Sequence, residues 1–100
     1  MEEKALFLRN KIDDICGKYN IYKEVNVIDR VNEINIEIQE YILYFLQGNI
    51  FGLEEEEYTN IHNFAFDVLK DYSEAVINRD MVLMVDTLDY GLRDLINILI

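Results

Sequence analysis

Apolar residues recur at intervals of three and four along almost the whole chain, and this rhythm constrains the fold more than any other feature. They fall at positions 5, 8, 12, 15, 16 and 19, then at Val27, Val31, Ile34, Ile38, Tyr41 and Phe45. The same spacing returns at Tyr58, Ile61, Ala65, Val68, Tyr72 and Ala75, and again at Met81, Val85, Leu88, Leu92, Leu95 and Leu99. Side chains spaced in this way share one face of an α-helix. An all-β chain of this length would need many turns, yet there is no proline, and Gly17, Gly48, Gly52 and Gly91 are the only glycines. The pattern predicts an all-α fold with more than about two-thirds of its residues helical, well above the usual third. The simplest arrangement is a four-helix up-down-up-down bundle, one domain over residues 1–100.

Local signals set the expected boundaries. Glu2 and Glu3 suit the positive end of a first helix over about 3–18, with Gly17 and Asn20 as stop signals. A second helix is expected over about 21–47, capped by Asn20 or Asn26 and ended by Gly48-Asn49. Within it, Ile34-Asn-Ile36-Glu-Ile38 alternates as a half-buried strand would, but no turn residue bounds it and the helical rhythm continues on both sides. A loop to about Leu53 leads to a third helix that opens on Glu54–Glu57 and ends near Asn78. Asp80 is a suitable cap for a fourth, in which Leu88 and Leu95 occupy the central seam. Gly91 inside that helix marks a close helix contact or a slight bend, because glycine there costs about 1 kcal/mol relative to alanine.

The net charge of −11 is unevenly distributed. Residues 1–30 hold six bases and six acids, whereas residues 31–100 hold only Lys70, Arg79 and Arg93 against fourteen acids. Such a field repels phosphates and anionic headgroups, which argues against nucleic acid and membrane surfaces and leaves open a basic protein as partner. The longest apolar run, Tyr41–Leu46, is far short of the ~20 residues that span a bilayer. The first residues lack the pattern of a secretory signal, so a cytoplasmic location is expected.

No residue constellation suggests catalysis, and no cofactor or metal is implied. His62 is the only histidine, and the paired Glu-x-x-His motifs of di-iron bundles are absent. Cys16 is the only cysteine and lies on the apolar stripe of the first helix, where a thiol acts as a small hydrophobe; as a nucleophile it would need His62, the sole candidate base, beside it. Glycine-rich phosphate loops, nucleophile elbows and His-Glu-x-x-His are missing as well.

Candidate interaction residues are of two kinds. Glu54, Glu55, Glu56 and Glu57 form the densest charge in the chain, either a solvated helix start or a dock for a basic partner. Asp86 and Asp89 share the outer face of the fourth helix with Arg93, beside Tyr90; they offer too few oxygens for Ca²⁺. The apolar surplus says more. Leu6, Phe7, Ile36, Leu43, Leu46, Phe66, Val82, Leu83, Ile98 and Ile100 lie off the four stripes, and a domain this small cannot hide them all. Because Tyr41–Leu46 is apolar all round, whichever of Leu43, Tyr44 and Leu46 faces outward is expected at a two-fold homodimer interface, centred on the second or the fourth helix, or under a standing partner.

The segment Asp80-Met-Val-Leu-Met-Val-Asp86-Thr-Leu88-Asp-Tyr90-Gly-Leu92 resembles the terminal helix of a group of small uncharacterised all-helical proteins from low-GC bacteria. Their Asp-Tyr-Val-Leu-Leu-Ala-Asp-Leu-Leu-Glu-Tyr-Glu-Leu pattern has Tyr where Met81 stands and Glu where Gly91 stands. The resemblance covers about a tenth of the chain and implies no activity. In size and acidity the chain is also similar to flagellar export chaperones, bundles that clamp an amphipathic client segment; that likeness is architectural. The expected function is a non-enzymatic protein–protein interaction module, an adaptor or chaperone-like bundle that binds a partner helix in an apolar groove. The alternative is an acidic decoy, an immunity protein or antitoxin that imitates nucleic acid and blocks a basic protein.

Overall fold

The acidic start opens helix α1 over Glu2–Tyr22 in the computed structural model, which describes all 100 residues. Five more α-helical segments follow: α2 Val27–Asn32, α3 Asn35–Tyr44, α4 Glu55–Asn78, α5 Met81–Asp86 and α6 Arg93–Leu99. A π-helical turn, Thr87–Leu92, joins α5 to α6, so the three run on as one C-terminal helix. Helix accounts for 80% of the chain, and no strand forms through Ile34–Ile38 or elsewhere.

Four boundaries differ from the sequence expectation, one being the start of the second helix, which opens at Val27 after Asn26, without a side-chain cap bond, rather than near 21. Gly17 does not stop α1, which continues for another turn because Tyr19 still packs against the core. The helix ends at Lys23 in the left-handed conformation (φ 57°), where the Lys23 N–H donates to the Tyr19 carbonyl at 3.1 Å. The single helix expected over 21–47 is broken into α2 and α3, with Glu33 and Ile34 in a turn and Ile34 at φ −119°. This stretch is rich in β-branched residues and asparagine, which lose little by leaving the helix, and Ile34 stays buried across the break. Asn35 then secures the start of α3: its Oδ1 accepts from Gln39 Nε2 at 2.9 Å and from the Tyr72 hydroxyl at 2.5 Å. The helix stops at Tyr44 rather than near 47, as Phe45 and Leu46 close tighter i→i+3 bonds.

The second half follows the expectation closely. Glu54 precedes α4, Arg79 ends it at φ 48°, and the Asp80 side chain accepts from the Leu83 N–H at 3.0 Å. One apolar cluster gathers residues from every helix, with Leu8, Ile12, Ile38, Tyr41, Leu88 and Leu95 at its centre. Tyr41 is anchored there by its hydroxyl, which donates to the Leu95 carbonyl at 2.9 Å. Met84 and Ile96 are also fully buried, although they lie off the predicted stripe. The C-terminal helix buries a broader face than that stripe, with Val85, Leu88, Leu92 and Leu95 buried beside them. The domain is elongated, 43 × 26 × 20 Å, because the long α4 runs antiparallel to the C-terminal helix.

Candidate docking groove

The antiparallel pair made by α4 and the C-terminal helix leaves an open furrow on the surface. On α4, residues 60, 61, 64, 67, 68 and 71 recur at helical spacing along one flank. The facing wall carries Leu83, Asp86, Thr87, Tyr90 and Gly91, and nearer the chain's end Asp94 and Ile98. Two hollows, of about 390 and 290 Å³, meet at Phe64, which lines both. Val68, Leu83 and Ile61 supply apolar surface, and Tyr90 is 72% exposed.

The π turn shapes the middle of this furrow. Thr87 donates from Oγ1 to the Leu83 carbonyl at 2.7 Å, which keeps a buried hydroxyl satisfied where the backbone ladder changes register. Gly91 allows the two helices to approach: a Cβ there would lie 3.1 Å from Val68 Cγ2, with two further Val68 carbons within 3.7 Å. Val68 is β-branched and strongly prefers one χ1 rotamer in a helix, so making room for a Cβ costs energy. Gly91→Ala is therefore expected to destabilise by about 1 kcal/mol, overpacking outweighing the gain in helix propensity. In a Val68→Ala background the same change becomes stabilising by up to about 1 kcal/mol, a sign reversal readable by urea denaturation.

The charge around the furrow is one-sided. Asp67, Asp71, Asp86 and Asp94 line it, with no basic residue among the lining. The chain's ion pairs lie elsewhere. Arg93 joins Asp13 (2.7 Å) and Asp89 (2.9 Å), tying α6 to α1. Arg30 and Lys18 both reach Asp14, Lys4 pairs with Glu40, and Arg79 pairs with Asp29 at 3.0 Å. The Arg30 guanidinium hydrogen-bonded to Asp14 holds that carboxyl below its ordinary range. Most of the chain's cations are thus engaged by acids outside the furrow, whose own carboxylates stay uncompensated. These do not converge on a point: no three His, Cys, Asp or Glu side chains are placed to hold a metal ion.

The residues singled out from sequence are dispersed. Asp86 lies in the furrow wall, but Asp89 is turned toward Arg93 and does not line it. Glu54, Glu55, Glu56 and Glu57 are all exposed at the start of α4, outside the furrow lining and without side-chain partners. Leu43 is half-exposed on α3 beside Met1, Glu40 and Tyr44, whereas Leu46 packs against the core of its own chain. Cys16 is buried, and burial pushes its thiol up to about 12, so little nucleophilic thiolate forms near neutral pH. His62 stands beside Tyr58 at a ring separation of 5.8 Å.

Comparison of the chain with protein families, curated proteins and solved structures finds no match. The furrow must therefore be read from its own chemistry. Phe64, Asp67 and Asp71 were not among the sequence candidates, and Tyr90 stood there only as a neighbour of Asp86 and Asp89. The available signal was the i, i+3, i+7 spacing of Phe64, Asp67 and Asp71 on the flank of the α4 core stripe.

Proposed function

We propose that the chain is a non-enzymatic protein-interaction module that receives a helix of a partner protein in the furrow between α4 and the C-terminal helix. The observation that carries this reading is an open, apolar-floored channel along two antiparallel helices, with Phe64 and Tyr90 on its sides. A third helix laid there completes the packing that two helices leave unfinished, and aromatic side chains are frequent anchors in such interfaces. We also read the fold as a modified up-down-up-down bundle whose second rod is α2–α3 and whose fourth is the C-terminal helix.

The second reading, an acidic decoy for a basic protein, is favoured by the solvent-exposed run Glu54–Glu57. Affinity capture from the source cell with two variants separates them. Phe64→Ala with Tyr90→Ala should reduce recovery of a specific partner by about tenfold or more, the size expected for losing interfacial anchors. Replacing Glu54–Glu57 with glutamine should leave recovery unchanged. The reverse result would favour the decoy.

Leu43, half-exposed beside Met1 and Tyr44, supports a second contact in which two copies pair about a two-fold axis. Light scattering is expected to give the mass of two chains at micromolar concentration, and Leu43→Asp the mass of one. A single-chain mass for the unaltered protein removes the dimer from the proposal.

A further inference from the structure

We infer that the occupant of the furrow is a cationic amphipathic α-helix of about three turns, whose apolar face covers Phe64 and Leu83 while its Lys or Arg side chains reach Asp67 and Asp71 on one wall and Asp86 on the other. The inference rests on the docking reading above and adds the chemistry of the partner.

Length comes first. From Asn60 to Asp71 the α4 wall spans ~16 Å at the helical rise of 1.5 Å per residue, enough for about eleven residues of a helix lying alongside. Backbone chemistry then selects a helix over an extended peptide. Both walls are helices whose main-chain groups bond within themselves, so they offer no edge on which a strand could add a ladder. A segment entering this furrow must satisfy its own backbone, as a helix does.

Charge selects the sign. Asp67 and Asp71 are one turn apart on the exposed flank of α4, and Asp86 stands on the opposite wall. No ion pair of the chain engages any of the three. Cations on both flanks of an incoming helix would meet a carboxylate on either side, while its apolar stripe rests on the floor. Tyr90 adds an exposed ring face to which a cation is attracted. A small polycation would leave the apolar floor wet. A second copy of this chain, acidic overall at −11, does not match the furrow's carboxylates, so a contact between copies at Leu43 leaves the furrow for a cationic occupant.

The test uses the full chain and two synthetic helical peptides of about fourteen residues, long enough to cover three turns of 3.6 residues. Both carry leucine at i, i+3, i+4 and i+7; one carries lysines on both flanks of that stripe, and the other glutamines at the same positions. Titration followed by fluorescence anisotropy should show the lysine peptide binding about tenfold more tightly at ~20 mM salt, the difference shrinking severalfold at ~200 mM as exposed charges are screened. Asp67→Asn with Asp71→Asn and Asp86→Asn should remove most of the lysine preference and leave the glutamine peptide unaffected. Phe64→Ala should weaken both peptides. Equal affinity for the two peptides overturns the cationic inference while the docking reading stands. A lysine preference that survives the three Asp→Asn changes and disappears when Glu54–Glu57 become glutamine overturns it too, and favours the decoy. If neither peptide binds, both the inference and the docking reading fall.

Discussion

Leu88→Ala is expected to lower the free energy of unfolding by about 2–5 kcal/mol, the range for deleting a fully buried leucine side chain from a packed core. Leu88 has no exposed surface and lies at the start of the π turn, in the stretch that packs against both α1 and α4. The smaller alanine leaves a cavity that helices on both sides cannot close without moving. Small domains have about 5–15 kcal/mol in total, so the melting temperature should fall by roughly 10 °C or more. Leu95→Ala, equally buried in α6, should behave alike. Val82→Ala supplies the contrast: that side chain is exposed, and its loss should change stability by no more than about 0.5 kcal/mol. A Leu88→Ala protein that melts within a degree or two of the parent would show that the C-terminal helix does not occupy the seam assigned to it.

Tyr41→Ala should be at least as damaging, about 3–5 kcal/mol, because it removes a fully buried ring and a hydrogen bond together. Tyr41→Phe separates the two. It keeps the ring, with its edge contact to Phe45 at 5.3 Å, and removes only the hydroxyl that donates to the Leu95 carbonyl. That loss should be about 1 kcal/mol. The hydroxyl also confers an alkaline sensitivity. Burial, reinforced by the nearby Tyr44, raises the Tyr41 pKa above its ordinary 10.0, so the folded state holds its proton where the unfolded chain releases it. This contribution is fully present below about pH 10 and is lost as pH rises through the folded pKa. The phenylalanine variant should therefore show a shallower fall in stability above pH 10 than the parent, measured by denaturant titration across the alkaline range. Identical slopes would mean that Tyr41 is not protected in the folded state.

The local parts of this architecture were legible in the amino-acid order. The spacing from Tyr58 to Ala75 predicted α4 to within a residue at each end, and Asp80 proved to be the side-chain cap it was expected to be. The helical rhythm on both sides of Ile34–Ile38 likewise excludes a strand there, and none forms. These features depend on neighbours three or four residues apart, and such neighbours are visible in a sequence. Leu88 and Leu95 were legible as core for the same reason.

What tertiary structure decided begins where one rhythm permits two backbones. The 4-3-4 pattern from Val27 to Phe45 survives the break at Ile34, because a turn between short helices can keep the same residues buried as a continuous helix would. At the break the broken form has a tertiary partner that sequence does not show: Asn35 accepts a hydrogen bond from Tyr72, 37 residues away in the chain. The π turn is similar. Gly91 indicated a close contact or a bend, but only the nearness of Val68 shows why a side chain is unwelcome there. The furrow was the least legible feature of all. Its acids and aromatics come from two helices whose mutual register depends on packing along their whole length, and each wall read alone is an ordinary solvated helix flank. By itself the sequence determined the helical character, the central stripe of residues that leave water and the sign of the charge, since those follow from local periodicity and composition. Only the tertiary structure decided which of the remaining residues share a surface, because that depends on the distance between helices far apart in the chain.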